Sequence, residues 1–186
     1  MQGARSVDSE YQLYYKVMKG SEQMLRAAVI SASDRSSRGE REDLSGRLLG
    51  DLVDRIPASL EGYRVVPDRI RDIRAAIRSL ARPGGMDLIL TTGGTGVSPR
   101  DVTPEATAPL IDRELPALAL AIRWASYEKA PASIISRAVA GFRGECLVVN
   151  MPGSPKAVRE CFEVVLPVLK WLYSRKQRKV IDSGFD

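Results

Sequence analysis

The chain has 186 residues, 44% hydrophobic and 27% charged, with a net charge of +5 from 28 Lys and Arg against 23 Asp and Glu. That length suits one domain with a full core, and no apolar run approaches the roughly 20 residues needed to span a bilayer. Histidine is absent, which excludes Ser-His-Asp and Cys-His mechanisms and the usual His-bearing zinc and iron sites, and leaves any metal to oxygen ligands, a preference that points to Mg²⁺.

Residues 1–23 carry no clear period and no signal-peptide pattern. They read as an extension, with one short helix docked by Tyr11, Leu13, Tyr14 and Tyr15. LRAAVISA, residues 25–32, reads as a first strand buried on both faces, and residues 33–43 as a polar loop at its C-terminal end. The apolar positions Leu44, Leu48, Leu49, Leu52, Val53 and Ile56 follow a helical period that Pro57 stops. Tyr63 to Val66 is a short second strand, and Asp68 is placed to cap a helix whose apolar face is Ile70, Ile73, Ile77 and Leu80. A third strand, residues 86–91, follows the Pro83-Gly84-Gly85 turn. Helices are expected at about 104–112 and 114–128. A buried strand is expected at 145–149, with a long helix from Ser154-Pro155 that Pro167 should bend. Strands alternating with helices imply one three-layer α/β domain, a doubly wound, mostly parallel sheet with helices on both faces. The domain is expected to span residues 24–173, with a basic tail at 174–186. The tail's Arg175, Lys176, Arg178 and Lys179 read as a solvated helix end rather than a nucleic-acid patch. Cys146 and Cys161 read as buried packing thiols, which suits a reducing, cytoplasmic setting.

The chemistry concentrates in TTGGTGVSPRDVTPEAT, residues 91–107. Gly93, Gly94 and Gly96 leave backbone N–H groups open to an anion. Arg100 suits a phosphate and Asp101 a hydrated cation, while Thr103 and Pro104 look like an N-cap and first helical residue. A helix start beside a glycine loop at a strand's C-terminal end is where open α/β sheets bind phosphates. Asp68 and Asp101 both follow strands and together suit Mg²⁺ completed by substrate phosphates; a plain N-cap for Asp68 and an Asx-turn for Asp101 stay open. Ser31, Ser33, Asp34 and Arg35 close the first strand with hydroxyls and a guanidinium that suit a phosphate, or with simple turn formers. Ser136 and Arg137 pair a hydroxyl with a guanidinium, an anion site or simply a solvated arginine. Gly153 and Ser154 form a turn at a helix N-terminus, an anion site or a cap.

Taken together, VISASDRSSRGEREDLSG, VVPD, LILTTGGTGVSPRDVTPEAT, SRAVAGFRG and LVVNMPGSPKAV resemble the molybdopterin adenylyltransferase family of molybdenum-cofactor biosynthesis, the MogA/MoaB type, which is related to the gephyrin N-terminal domain. The resemblance spans roughly residues 25–173. It implies a reaction in which molybdopterin's terminal phosphate attacks the α-phosphorus of ATP, with Mg²⁺ present and pyrophosphate released. Residue by residue it implies Asp68 and Asp101 as the acidic pair that is catalytic and holds the metal. Gly93, Gly94, Thr95 and Gly96 become the nucleotide cradle. Ser33, Asp34, Arg35, Ser136, Arg137, Gly153 and Ser154 become the pterin- and phosphate-binding set. It also implies a homotrimer and a molybdenum insertase as a candidate partner; a pterin-binding paralogue or scaffold without turnover is the alternative.

Overall fold

The computed structural model describes residues 24–127 and 130–182, with side chains through Ser174. The expected N-terminal helix and the side chains of the basic cluster lie outside the described residues. A six-stranded sheet forms the centre, in the order β2-β1-β3-β6-β5-β4. Its strands are β1 (Leu25–Ala32), β2 (Ala58–Val66), β3 (Leu88–Thr92), β4 (Arg113–Glu114), β5 (Ala140–Arg143) and β6 (Cys146–Met151). The first four in spatial order run parallel; at one edge β5 pairs antiparallel with β6, and β4 antiparallel with β5.

The two faces are covered by different helices, which makes three layers. Alternation along β1 divides the core: Leu25, Ala27 and Val29 point to one face, Ala28, Ile30 and Ala32 to the other. The first face packs against α2 (Leu44–Val53), α5 (Pro116–Ala125) and α6 (Pro155–Asp182), with Leu49, Ile122, Phe162 and Leu169 buried there. The second packs against α3 (Ile70–Leu80) and α4 (Thr103–Thr107), through Ile73, Ile77 and Ala106. Each large apolar side chain so buried contributes about 1.5–3 kcal/mol. Both cysteines are buried and free, and burial pushes the Cys146 thiol up to about 12. Among the described residues no helix is long and apolar enough to cross a membrane.

Several expected boundaries shift for physical reasons. β2 begins at Ala58, not Tyr63, because it is an edge strand whose exposed Leu60 and Glu61 mask its period. Its register slips opposite Ala27 and Ala28, where Gly62 sits so close that an added Cβ would lie 2.9 Å from that of Ala28. The loop after β1 holds a short helix, α1 (Asp34–Ser37). The expected helix at 104–112 breaks into α4 and a 3₁₀ turn at Ala108–Leu110, and the two-residue β4 takes the start of the expected helix at 114–128, which forms only over Pro116–Ala125. β5 turns back onto β6 through Gly144, which takes φ +56°.

The connection from β1 leads outward to β2, while β3 lies on β1's other side. The chain therefore reverses direction between β1 and β3, and the loops leaving them part to open a crevice.

Candidate functional site

The loops at the C-terminal ends of the parallel strands are tied to one another. The Ser33 N–H donates to the Val66 carbonyl at 2.9 Å, joining the end of β1 to the end of β2. Ser33 Oγ accepts from the Ser36 N–H at 3.2 Å and so caps α1. Asp34 and Asp68 hold each other reciprocally. The Asp34 N–H donates to Asp68 Oδ2 at 2.9 Å, and the Asp68 N–H to Asp34 Oδ1 at 3.1 Å. Asp68 therefore does not cap the helix after it; Arg69 takes the N-cap position of α3 and makes no side-chain capping bond. Arg35 is exposed and close enough to Glu40 to act on its charge.

The glycine loop sits against both neighbours. Gly93 and Gly94 take φ +91° and +64°, conformations that favour glycine. A side chain on Gly93 would collide with the Ala32 carbonyl oxygen, and one on Gly153 would come within 3.2 Å of Gly93 Cα. Thr92 Oγ1 donates to the Pro152 carbonyl at 2.6 Å, and Ser45 Oγ to the Gly153 carbonyl at 2.8 Å. Among the described residues, the N–H groups of Gly94, Thr95 and Gly96 donate to no protein acceptor. Thr103 departs from the expected N-cap role: Val102 holds that position, and buried Thr103 donates from Oγ1 to the Gly93 carbonyl at 2.8 Å and from its N–H to the Gly94 carbonyl at 3.0 Å. α4 is thus anchored to the loop it follows.

Asp101 folds back over the same loop. Its Oδ2 accepts from the Ser98 N–H at 2.9 Å and lies 2.8 Å from where a Cβ on Gly96 would stand. Asp68 Oδ1 lies 3.4 Å from the equivalent point on Gly94. The two carboxylates flank the loop, and the charge of Asp101 acts on Asp68. Burial pushes the Asp68 carboxyl above its ordinary range; the Asp34 N–H lowers it, the charges of Asp34 and Asp101 raise it further, and Arg100 lowers it. Among the described residues, no three His, Cys, Asp or Glu side chains gather as a metal site of their own. A cation here needs ligands from substrate, as Mg²⁺ commonly takes from phosphates.

Arg137 joins this loop from the opposite side. Its N–H donates to the Thr95 carbonyl at 2.9 Å and its Nε to the Gly96 carbonyl at 2.8 Å; its terminal nitrogens reach the Asp101 carbonyl and the Glu105 carboxylate. Its fork is committed to shaping the loop. Ser136 Oγ accepts from the Ala138 N–H at 3.4 Å, and Ser154 Oγ from the Ala157 N–H at 3.3 Å, in the first turn of α6.

Two clefts open on either side of the Gly93–Gly153 contact. One, of about 410 Å³, is lined by Ser31, Ser33, Arg41, Ser45, Thr92 and Gly93. The other, of about 730 Å³, is lined by Thr95, Ser136, Pro152, Ser154 and Glu160 among others. The thirteen expected site residues thus divide: Asp34, Asp68, Asp101 and the four residues of the glycine loop form the centre with Arg137 clamping it, Ser33 and Gly153 border the first cleft, Ser136 and Ser154 the second, and Arg35 stands exposed outside both linings.

Asn150, on β6, was not among the expected site residues. It is fully buried; its Nδ2 donates to Thr91 Oγ1 at 2.9 Å and Thr107 Oγ1 at 3.1 Å, and its Oδ1 accepts from the Val139 N–H at 3.2 Å. The signal for it is an amide inside the otherwise apolar run CLVVNM, since a buried polar group must find partners.

A family model described as a probable molybdopterin binding domain matches residues 28–171. The molybdopterin adenylyltransferase of Helicobacter pylori strain J99 is 38% identical over 152 residues, covering 80% of this chain and 86% of that protein. The chain belongs to the molybdopterin adenylyltransferase family. The Haemophilus influenzae molybdopterin adenylyltransferase is 41% identical over 147 residues, covering 76% of this chain and 73% of its own. The crystal structure of the molybdopterin biosynthesis enzyme MoaB from Thermus thermophilus superposes with a TM-score of 0.74 at 43% identity, covering 81% of this chain and 98% of that one. The three-layer architecture is therefore the one this family uses, and the loops that meet here lie within the matched residues.

Proposed function

We propose that this protein adenylylates molybdopterin. An oxygen of molybdopterin's terminal phosphate attacks the α-phosphorus of ATP, the bond from that phosphorus to the bridging oxygen breaks, and pyrophosphate leaves. The observation that carries this reading is the flanking of the glycine loop by Asp68 and Asp101, beside N–H groups that lack protein acceptors. The names of the relatives support the same reaction.

The attacking phosphate oxygen is already ionised at neutral pH, so the step needs no general base, and a chain without histidine loses nothing. What the step needs is positioning and relief of negative charge. Gly93, Gly94, Thr95 and Gly96 offer N–H groups to the nucleotide phosphates. Arg137 fixes the loop's shape through its carbonyls. The donor set fits Mg²⁺: Asp68 and Asp101 would hold it, both all-oxygen ligands, and substrate phosphates would complete its shell. When bound, the ion neutralises charge on the phosphates. Ser33, Asp34, Arg35, Ser136, Arg137, Gly153 and Ser154 are the proposed pterin- and phosphate-binding set, with Ser33 and Gly153 on the smaller cleft and Ser136 and Ser154 on the larger. A binder without turnover has little use for the paired carboxylates.

Assembly belongs to the same proposal. Leu120 and Trp124 on α5 and Trp171 on α6 are exposed apolar side chains, and a closed C₃ homotrimer would cover such faces without leaving open edges. The molybdenum insertase is the proposed consumer of the product, and the cytoplasm the proposed setting.

The test mixes the protein with Mg-ATP and molybdopterin and follows pyrophosphate. Release that requires both substrates supports the reading; tight binding of molybdopterin with no pyrophosphate would replace the enzyme with a pterin-binding paralogue.

A further inference from the structure

Glu105 has no part in the reaction just described, yet it is tied to the glycine loop through one intermediary. The loop's carbonyls are all taken from outside it. The Gly93 carbonyl accepts from Thr103 Oγ1 at 2.8 Å and the Gly94 carbonyl from the Thr103 N–H at 3.0 Å. The Thr95 carbonyl accepts from the Arg137 N–H at 2.9 Å and the Gly96 carbonyl from Arg137 Nε at 2.8 Å. Two residues thus hold four consecutive carbonyls. In a planar trans peptide the N–H points opposite to the carbonyl of the residue before it. Holding the carbonyls of Gly93, Gly94 and Thr95 therefore turns the N–H groups of Gly94, Thr95 and Gly96 away from Thr103 and Arg137. These are the N–H groups that donate to no protein acceptor among the described residues. The direction of the cradle is set from behind.

Thr103 is buried and stays where packing puts it. Arg137 is only part-buried. It stands beside the proposed phosphate site, and an arginine there is drawn to phosphate directly. Bound in that way it would release the Gly96 carbonyl. Its terminal nitrogens are instead directed to the Asp101 carbonyl and the Glu105 carboxylate. Glu105 is in turn fixed at its root: it stands in α4, and Arg74 of α3 donates to its main-chain carbonyl at 3.1 Å.

Resting on the proposed reaction, we infer that Glu105 is a positioning residue: it holds Arg137 on the loop carbonyls and so keeps the loop's N–H groups aimed at the nucleotide phosphates. Arg137 serves the phosphates through the loop, and Glu105 serves them through Arg137, although its own charge opposes theirs.

The test compares the wild type with Glu105→Gln, Arg137→Lys and the double variant, using calorimetry for Mg-ATP affinity and thermal melts for stability. Glu105→Gln keeps the size and loses the charge. Removing a negative charge near an anion site strengthens anion binding if only Coulomb's law operates, and a merely structural role lowers the melting temperature with affinity unchanged. Positioning has the opposite sign: Mg-ATP should bind about 10-fold more weakly, the effect of losing one hydrogen bond to a charged group. Arg137→Lys should lose a similar factor, and the double variant no more than the weaker-binding single one, since the two residues act as a unit. Tighter or unchanged binding in Glu105→Gln overturns the inference, and so do losses that multiply in the double variant. A second measurement uses the wild type alone: titration with Mg-ATP should move the amide resonances of Gly94, Thr95 and Gly96. Binding that leaves all three in place overturns the inference whatever the variants' folding. If the wild type binds no Mg-ATP, the proposed reaction itself falls and takes this inference with it. A wild type that releases pyrophosphate while Glu105→Gln binds Mg-ATP equally well removes Glu105 alone.

Discussion

Replacing Gly94 with alanine probes the site where loop conformation and catalysis meet. Gly94 has φ +64°, and its new Cβ would stand 2.6 Å from Thr103 Oγ1. The left-handed backbone costs a non-glycine residue about 1–2 kcal/mol. Reaching an ordinary 3.4 Å contact requires opening the gap by 3.4 − 2.6 = 0.8 Å. Thr103 is fully buried and already bound to the Gly93 carbonyl, so it cannot simply rotate away, and overpacking of this kind costs about 1–3 kcal/mol. The sum, about 2–5 kcal/mol, corresponds to a melting temperature lower by roughly 4–20 °C for a chain of this size. Gly84→Ala is the internal control, because Gly84 has φ +69° but nothing within 4 Å of an added Cβ; it should show the backbone cost alone, roughly 2–8 °C. The same displacement moves the loop relative to Asp68 Oδ1, and misplacement of about 1 Å costs on the order of 100-fold in rate. Thermal melts and pyrophosphate release on both variants decide the matter. A Gly94→Ala protein that melts no lower than Gly84→Ala and keeps the wild-type kcat/KM would refute both the packing and the cradle.

Asp101→Asn keeps an acceptor for the Ser98 N–H but loses the charge, so pyrophosphate release should fall about 100- to 1000-fold while the melting temperature stays within a few degrees. For Asp68 the sign runs against the usual carboxylate: its folded-state pKa is raised, so the folded protein holds that proton more tightly than the unfolded chain. The resulting cost is absent below the unfolded aspartate pKa of about 3.9, grows as pH rises to the raised value, and stays full above it. Asp68→Asn, which cannot ionise, should therefore gain in melting temperature relative to wild type between pH 3 and pH 7, as read by melts across that range; a constant gap would remove the charge argument. Asn150→Ala empties a buried site and strands the Val139 N–H, so chemical denaturation should show a loss of about 2–4 kcal/mol. Sedimentation at micromolar concentration should find a trimer, and a single monomeric species would remove the proposed assembly.

Much of the fold was legible because the core obeys simple periods. LRAAVISA and CLVVNM are apolar on both faces, as buried parallel strands must be, and α3's isoleucines recur at helical spacing. What escaped was structure that tertiary contacts impose. Edge strand β2 is half polar because one side faces water, β4 has only two residues, and β5 has four with a glycine among them, too few to carry a pattern. In the site, the glycine loop and the two carboxylates were legible from residue type and place. The reciprocal Asp34–Asp68 bonds, the Thr103 anchor and the Arg137 clamp were not, because each depends on a partner distant in sequence: 34 residues for the first, 10 for the second and 32 to 41 for the third. Thr103 and Asp68 both carry side chains typical of helix caps, and at both positions a tertiary partner won the hydrogen bond.

The mutual grip of Asp34 and Asp68 also limits how this chain can change. Each aspartate binds the other's main-chain N–H, so an exchange at one position leaves a half-buried donor unmatched at the other. A replacement is tolerable only if it keeps an oxygen at the same distance from the backbone, as asparagine does, or if both positions change together. The loop after β1 and the loop after β2 consequently form one inheritable unit. Grafting either of them alone into a relative would carry half of a lock.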